Sequence, residues 1–155
     1  MALTAFEEYF GFMERFIAFY KEAQKAELEK FDALMSCELS RIQEAMKNYQ
    51  SVIKKAQAFE DERIELCKGL GFENMAFSEV LRHFDDDAQQ QKLKEQRDRL
   101  SSIIKNIKYL NKRSQDFVNV QLGEIEQAAS IASIYNTKGL ADSHLANSNL
   151  LNKQI

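Results

Sequence analysis

Residues 86–136 read DDAQQQKLKEQRDRLSSIIKNIKYLNKRSQDFVNVQLGEIEQAASIASIYN, and this stretch decides the fold. Its apolar side chains, Leu93, Leu100, Ile103, Ile104, Ile107, Leu110, Phe117, Val118, Leu122, Ile125, Ala129 and Ala132, recur with a period near 3.6 residues and have charged residues between them. That is the pattern of one amphipathic helix, about 75 Å long at 1.5 Å per residue. Asp85, Asp86 and Asp87 stand at its start, where acids satisfy free N–H groups and the positive end of the helix dipole. Adjacent residues at a helix start point in different directions, so three aspartates in a row are no metal site.

Upstream lie two shorter stripes. Phe6, Phe10, Met13, Ile17, Tyr20, Leu28, Phe31, Leu34 and Met35 predict a helix over residues 3–35, and Leu39, Ile42, Met46, Tyr49, Val52, Ile53, Ala56, Phe59 and Leu66 a second over 39–68. Between them Ser36-Cys37-Glu38 resets the phase of the stripe, as a kink or a tight turn. Lys68-Gly69-Leu70-Gly71 is the signal that closes a helix, and the loop 71–78 leads into a short amphipathic turn, 79–84, over a bundle end. Downstream, residues 140–155 are rich in Asn and Ser, which favour local backbone bonding over helix. With no proline and only five glycines, the chain has little punctuation for the turns of a sheet. The expectation is an all-α fold: an elongated antiparallel helical bundle of three long helices over residues 1–139, with a short end-cap helix and a marginal C-terminal tail, 140–155.

Composition narrows the function classes. Hydrophobic residues make up 45% of the 155 and charged residues 29%, and no apolar run is long enough to span a bilayer, so no stable membrane insertion is expected. The first residues lack the cationic start and apolar core of a signal peptide, which predicts a cytoplasmic protein. Cys37 and Cys67 would be about 45 Å apart along a helix, too far for a disulfide. Phosphate-binding glycine loops, nucleophile elbows, zinc-binding helices and paired Glu-x-x-His motifs are all missing, so neither an enzyme nor a cofactor nor a metal is expected. His83 and His144 have no second ligand at a useful spacing. Lys92, Lys94, Arg97, Arg99, Lys105, Lys108, Lys112 and Arg113 make a basic run in the long helix. Tyr109 alone interleaves it, and the other helices are acidic, so the run is expected to lie against them rather than bind nucleic acid.

Aromatic residues crowd the first helix. Phe6, Tyr9, Phe10, Phe12, Phe16, Phe19 and Tyr20 spread over roughly half its circumference, wider than the ~100° needed to face one core. Phe12, Phe16 and Phe19 form the outer edge of this arc, which fits either a larger intramolecular core or a homodimer or partner contact.

Four stretches in order carry a family likeness: Ala33-Leu34-Met35-Ser36-Cys37-Glu38-Leu39, Phe59-Glu60-Asp61-Glu62-Arg63 running to Leu70-Gly71, Phe77 to Leu81, and Ile134-Tyr135-Asn136-Thr137-Lys138-Gly139. Over about residues 3–140 the chain resembles the FlgN-type flagellar export chaperones. The four stretches are similar to that family's short turn between two helices, its Leu-Glu-x-x-Arg run ending in Leu-Gly, its end cap and its Tyr-x-x-x-Gly element. Two departures are Cys37-Glu38, where a Gly-Asp pair is common, and the very aromatic first helix.

The resemblance implies a cytosolic, ATP-independent chaperone that holds hook-filament junction proteins by a C-terminal amphipathic helix, prevents their premature assembly and delivers them to the export gate. An uncovered end of the long helix would offer the client groove, with Val118, Leu122, Ile125, Ile131 and Ile134 lining it. Leu140, Leu145, Leu150 and Leu151 of the tail would cover the groove or clasp the client. Tyr135, in the Tyr-x-x-x-Gly element, would dock on the cytoplasmic domain of the export gate. The competing class is a structural coiled-coil protein forming a homodimer without a client. Arg63, Arg97, Asn111 and Ser114 interrupt the stripes that a long scaffold would keep apolar, favouring a short bundle with a polar layer.

Overall fold

The computed structural model describes residues 2–135. It has four helices, α1 (Ala5–Ser36), α2 (Leu39–Gly69), α3 (Phe77–His83) and α4 (Asp87–Tyr135), and no strand among the described residues. The all-helical expectation holds. The C-terminal tail, with Leu140, Leu145, Leu150 and Leu151, lies outside the described residues.

Local chemistry sets each boundary. Thr4 opens α1 with a capping box: its hydroxyl accepts from Glu7 N at 3.2 Å, and the Glu7 carboxylate accepts from Thr4 N at 2.9 Å. The break at residues 36–38 is a tight turn rather than a kink, reversing the chain through Cys37 in the left-handed region at φ 56°. α2 ends in a Schellman motif, in which Phe72 N donates to Cys67 O at 2.7 Å, Gly71 N donates to Lys68 O at 3.3 Å, and Gly71 takes φ 81°. Phe72 then joins Cys67 in the core. Asp86 caps α4, its side chain accepting from Gln89 N at 3.0 Å.

α1 is the central helix. It packs along its length on α2 to one side and α4 to the other, while α2 and α4 form no long seam with each other. α2 runs antiparallel to α1, since Arg15 pairs with Glu62 and Asn48 lies against Glu29. α4 runs parallel to α1, because Gln96 meets Phe10, Lys30 meets Asn111, and Leu34 meets Val118.

Two neighbours explain the aromatic arc on α1, and they correct the reading of its outer edge. Phe12, Phe16 and Phe19 are buried. α2 supplies Phe59, whose ring stacks on Phe19 at 4.8 Å and lies 6.1 Å from Phe16 and 6.4 Å from Phe12. The main core holds Phe12 and Phe16 with Tyr9, Met13, Cys67, Phe72, Val80, Phe84 and Leu93 at the α3 end, and Phe59 packs against it. A second, smaller cluster of Leu34, Val118 and Leu122 closes the other end.

Candidate functional site

At that smaller cluster α1 stops and α4 goes on. Val118 and Leu122 are buried beneath Leu34, with half-buried Ile42 and Phe117 around them. From Gly123 to Tyr135, about 20 Å of helix, α4 extends past the end of α1, and every described side chain there except half-buried Ala129 is exposed. The core-facing spacing continues onto this overhang. Ile125, seven residues after Val118 and therefore on the same face, is 58% exposed, and Ala129 and Ala132 follow it on that face.

Of the five residues expected to line one groove, the four whose side chains are described do not share one exposed face. Val118 and Leu122 are already covered by α1, and Ile125 is bare on the same face. Ile131 comes thirteen residues after Val118, about 220° round the helix, so it is exposed on a different face. The side chains of Ile134 and Tyr135 lie outside what is described.

A polar belt separates the two apolar clusters. Lys30 is wholly buried, its ammonium 2.9 Å from the buried carboxylate of Glu27 and donating to Asn111 Oδ1 at 3.1 Å. The same ammonium sits 4.0 Å from the centre of the Tyr49 ring. Burial, followed by the Glu27 charge, pushes the Tyr49 phenol up to about 12. Ser114 is buried next to this belt, its hydroxyl without a partner. Toward the α3 end, buried Gln96 donates to Phe10 O at 3.0 Å and to Glu14 at 2.9 Å. The Gln96 hydrogen bond, aided by Arg99, holds the Glu14 carboxyl below its ordinary range.

Asn111 and Ser114 are legible in the sequence as breaks in the stripe, whereas Lys30, Glu27 and Gln96 are not. The signal that would find Glu27 and Lys30 is positional: Ala23, Glu27, Lys30 and Leu34 step along one face by four, three and four residues. Leu28 and Met35, read as part of the stripe, are exposed.

The basic run of α4 is only partly matched to the acidic helices. Arg99 pairs with Glu14 on α1, but Lys112 pairs with Asp116 within α4, and Arg113 lies over the rings of Phe31 and Tyr109. Arg97 lies over Phe77 at the mouth of a cleft of ≈ 220 Å³ between α2 and α4, floored by Tyr9, Met13 and Phe16. Cys67 reaches the same cleft, and burial raises its thiol, the opposite of what a nucleophile needs. No group of three or more His, Cys, Asp and Glu among the described residues could hold a metal ion, and none of their helices is long and apolar enough to cross a membrane.

The family described as FlgN protein matches residues 1–141. No curated protein and no solved structure matches the chain significantly.

Proposed function

We propose a client-holding role on the premise that the chain belongs to the FlgN family, the flagellar export chaperones. The clients are hook-filament junction proteins, held by a C-terminal amphipathic helix until they reach the export gate. The observation that carries this reading is the overhang: the core face of α4 runs on through Ile125, Ala129 and Ala132 after α1 has ended. An amphipathic helix laid on that face would continue the packing that α1 provides above it. Free in the cytoplasm, such a client helix would associate with its own kind.

Twenty residues follow Tyr135 in the sequence, ample chain to run back along about 20 Å of overhang. In this reading Leu140, Leu145, Leu150 and Leu151 cover the face when it is empty and clasp the client when it is full, and Tyr135 docks the loaded chaperone on the cytoplasmic domain of the export gate. The rival, a scaffold dimerising through helix one, has no support in α1, whose aromatic face is spent on α2 and α4.

Titration of the full chain with a peptide from the C-terminal helix of a hook-filament junction protein tests the client site. Ile125→Asp is expected to weaken binding at least tenfold, since a charge replaces a central apolar anchor, while the melting temperature stays put because Ile125 packs on nothing described. Undiminished affinity in that variant would remove the overhang from the client site.

A further inference from the structure

The cleft between α2 and α4 carries charge of one sign. Arg63 stands on its α2 wall and Arg97 on its α4 wall, and no carboxylate is in its described lining. The larger groove between α1 and α2 is the opposite, with Glu7, Glu8, Glu62 and Glu65 against Arg15, and the whole chain has a net charge of −3. Neither guanidinium is saturated. Arg63 donates from Nε and one Nη to Glu60 at 2.9 and 2.7 Å, and Arg97 donates likewise to Asp98 at the longer 3.4 and 3.3 Å. The second Nη of each has no partner among the described residues. Tyr9 is only 6% exposed, yet no described group bonds its hydroxyl, which lies near Arg63 and Cys67 of the same lining. A buried hydroxyl without a partner is uncommon and marks a place for one. The rest of the floor is apolar, with Met13, Phe16 and Leu100, and Met75 beside it is 38% exposed.

We propose that this cleft docks an acidic segment of a partner protein, which buries one large apolar side chain against Met13, Phe16 and Leu100 and offers carboxylates to Arg63, Arg97 and the Tyr9 hydroxyl. Charge selects this occupant. Guanidinium groups pair with carboxylates in a planar, charge-assisted geometry, whereas a basic segment would meet two like charges. Burial, then Cys67, push the Tyr9 phenol up, so it stays a donor although Arg63 acts the other way. Size selects a side chain over a free ligand. At ≈ 220 Å³ the cleft is smaller than the ~300–1,000 Å³ that encloses a small molecule, and it suits one anchor residue. Methionine at the edge fits such a contact, since its unbranched side chain adapts to what it covers. Along α4 the site lies about 40 Å from the overhang, counted from Arg97 to Gly123, far enough for the chain to hold a client and this second partner at once.

The probe is the acetylated, amidated peptide Glu-Asp-Phe-Glu-Glu, titrated into the nitrogen-15-labelled full chain. Amide shifts should move at Cys67, Phe77 and Leu100 around the cleft and stay still at Ile125. Replacing the phenylalanine of the peptide by alanine, or its acids by lysine, should each weaken binding at least tenfold. Arg97→Glu should do the same with the melting temperature nearly unchanged, because that side chain is 51% exposed. Tyr9→Phe removes a hydroxyl that nothing described bonds, so it should cost about tenfold in peptide affinity and no stability. These shifts should appear whether or not Ile125→Asp loses the client peptide, so the cleft and the client site fail independently. Absence of cleft shifts at ~10 mM peptide, which fills a site of ~1 mM Kd to about nine-tenths, would overturn the proposal. Equal binding of the lysine peptide, or full affinity in both Arg97→Glu and Tyr9→Phe, would do so too. Binding of 3-phenylpropionate as tight as that of the peptide would overturn it in favour of a free carboxylate, and shifts centred on Ile125 would give the acidic peptide to the client face.

Discussion

Lys30 shows how strongly one residue can be committed to a fold without any role in chemistry. Its ammonium is wholly enclosed and is held by Glu27, Asn111 and the Tyr49 ring, so α1, α2 and α4 all contribute to one site. Desolvating two charges offsets most of what their attraction returns, so the pair adds little net stability, but removing one partner strands the other. Lys30→Met alone should therefore cost about 3–5 kcal/mol, because it leaves the Glu27 carboxylate buried without its cation. Glu27→Gln combined with Lys30→Met should recover most of that loss. Chemical denaturation of both variants and of Glu27→Gln provides the cycle, and an additive double variant would show that the two side chains do not depend on each other. The belt also fixes register. Sliding α4 by one turn against α1 would separate Asn111 from Lys30 and Gln96 from Phe10 and Glu14, whereas an all-apolar seam would tolerate the slip.

At the scale of elements, the turn between α1 and α2 departs most from easy backbone geometry. Cys37 occupies the left-handed region at φ 56°, which costs a residue with a Cβ about 1–2 kcal/mol. Its thiol recovers little, pointing at Leu34 O from 3.7 Å. Cys37→Gly should therefore raise stability by about 1 kcal/mol, after the entropy that glycine loses on folding is deducted. Thermal unfolding of that variant checks it, and a lower melting temperature would mean that the thiol packs better than its exposure suggests. The three long helices are legible in the sequence because their 3.6-residue stripes run unbroken by proline, and their bounds fall within a residue or two of those expected. The conformation of residues 36–38 is not, since serine, cysteine and glutamate suit a kink as readily as a turn. The position of α1 is also hidden. A wide aromatic arc is what a central helix with two neighbours needs, but it is equally what a helix with one neighbour and one external partner would show. Buried Lys30 is missed for a simpler reason, that a charge beside apolar residues usually marks the solvated edge of a stripe.

Across the whole molecule, packing thins from one end to the other. Aromatic rings from α1, α2, α3 and the loop before it fill the α3 end, the polar belt crosses the middle, three buried side chains close the far end, and α4 then continues alone among the described residues. The stable part of the protein thus holds one long helix as far as Leu122 and presents only its last stretch, from Gly123 to Tyr135. Tyr135 is the last residue of that helix and lies about 20 Å beyond Leu122, the last residue packed in the second cluster. If it is the docking residue proposed above, its distance along the helix from that cluster predicts that a variant there leaves the bundle intact. Tyr135→Ala should leave the melting temperature within a degree or so of wild type and the client-peptide affinity nearly unchanged, while a ring worth about 2 kcal/mol or more at an interface takes gate binding of the loaded chaperone down by ~30-fold. Pull-down of the chaperone–client complex on the cytoplasmic domain of the export gate, run beside thermal melting, reads both effects at once. A structural tyrosine would give the reverse pattern, an early melt with docking intact. Loss of client affinity together with docking would instead place Tyr135 inside the client site, extending that site to the tip of α4.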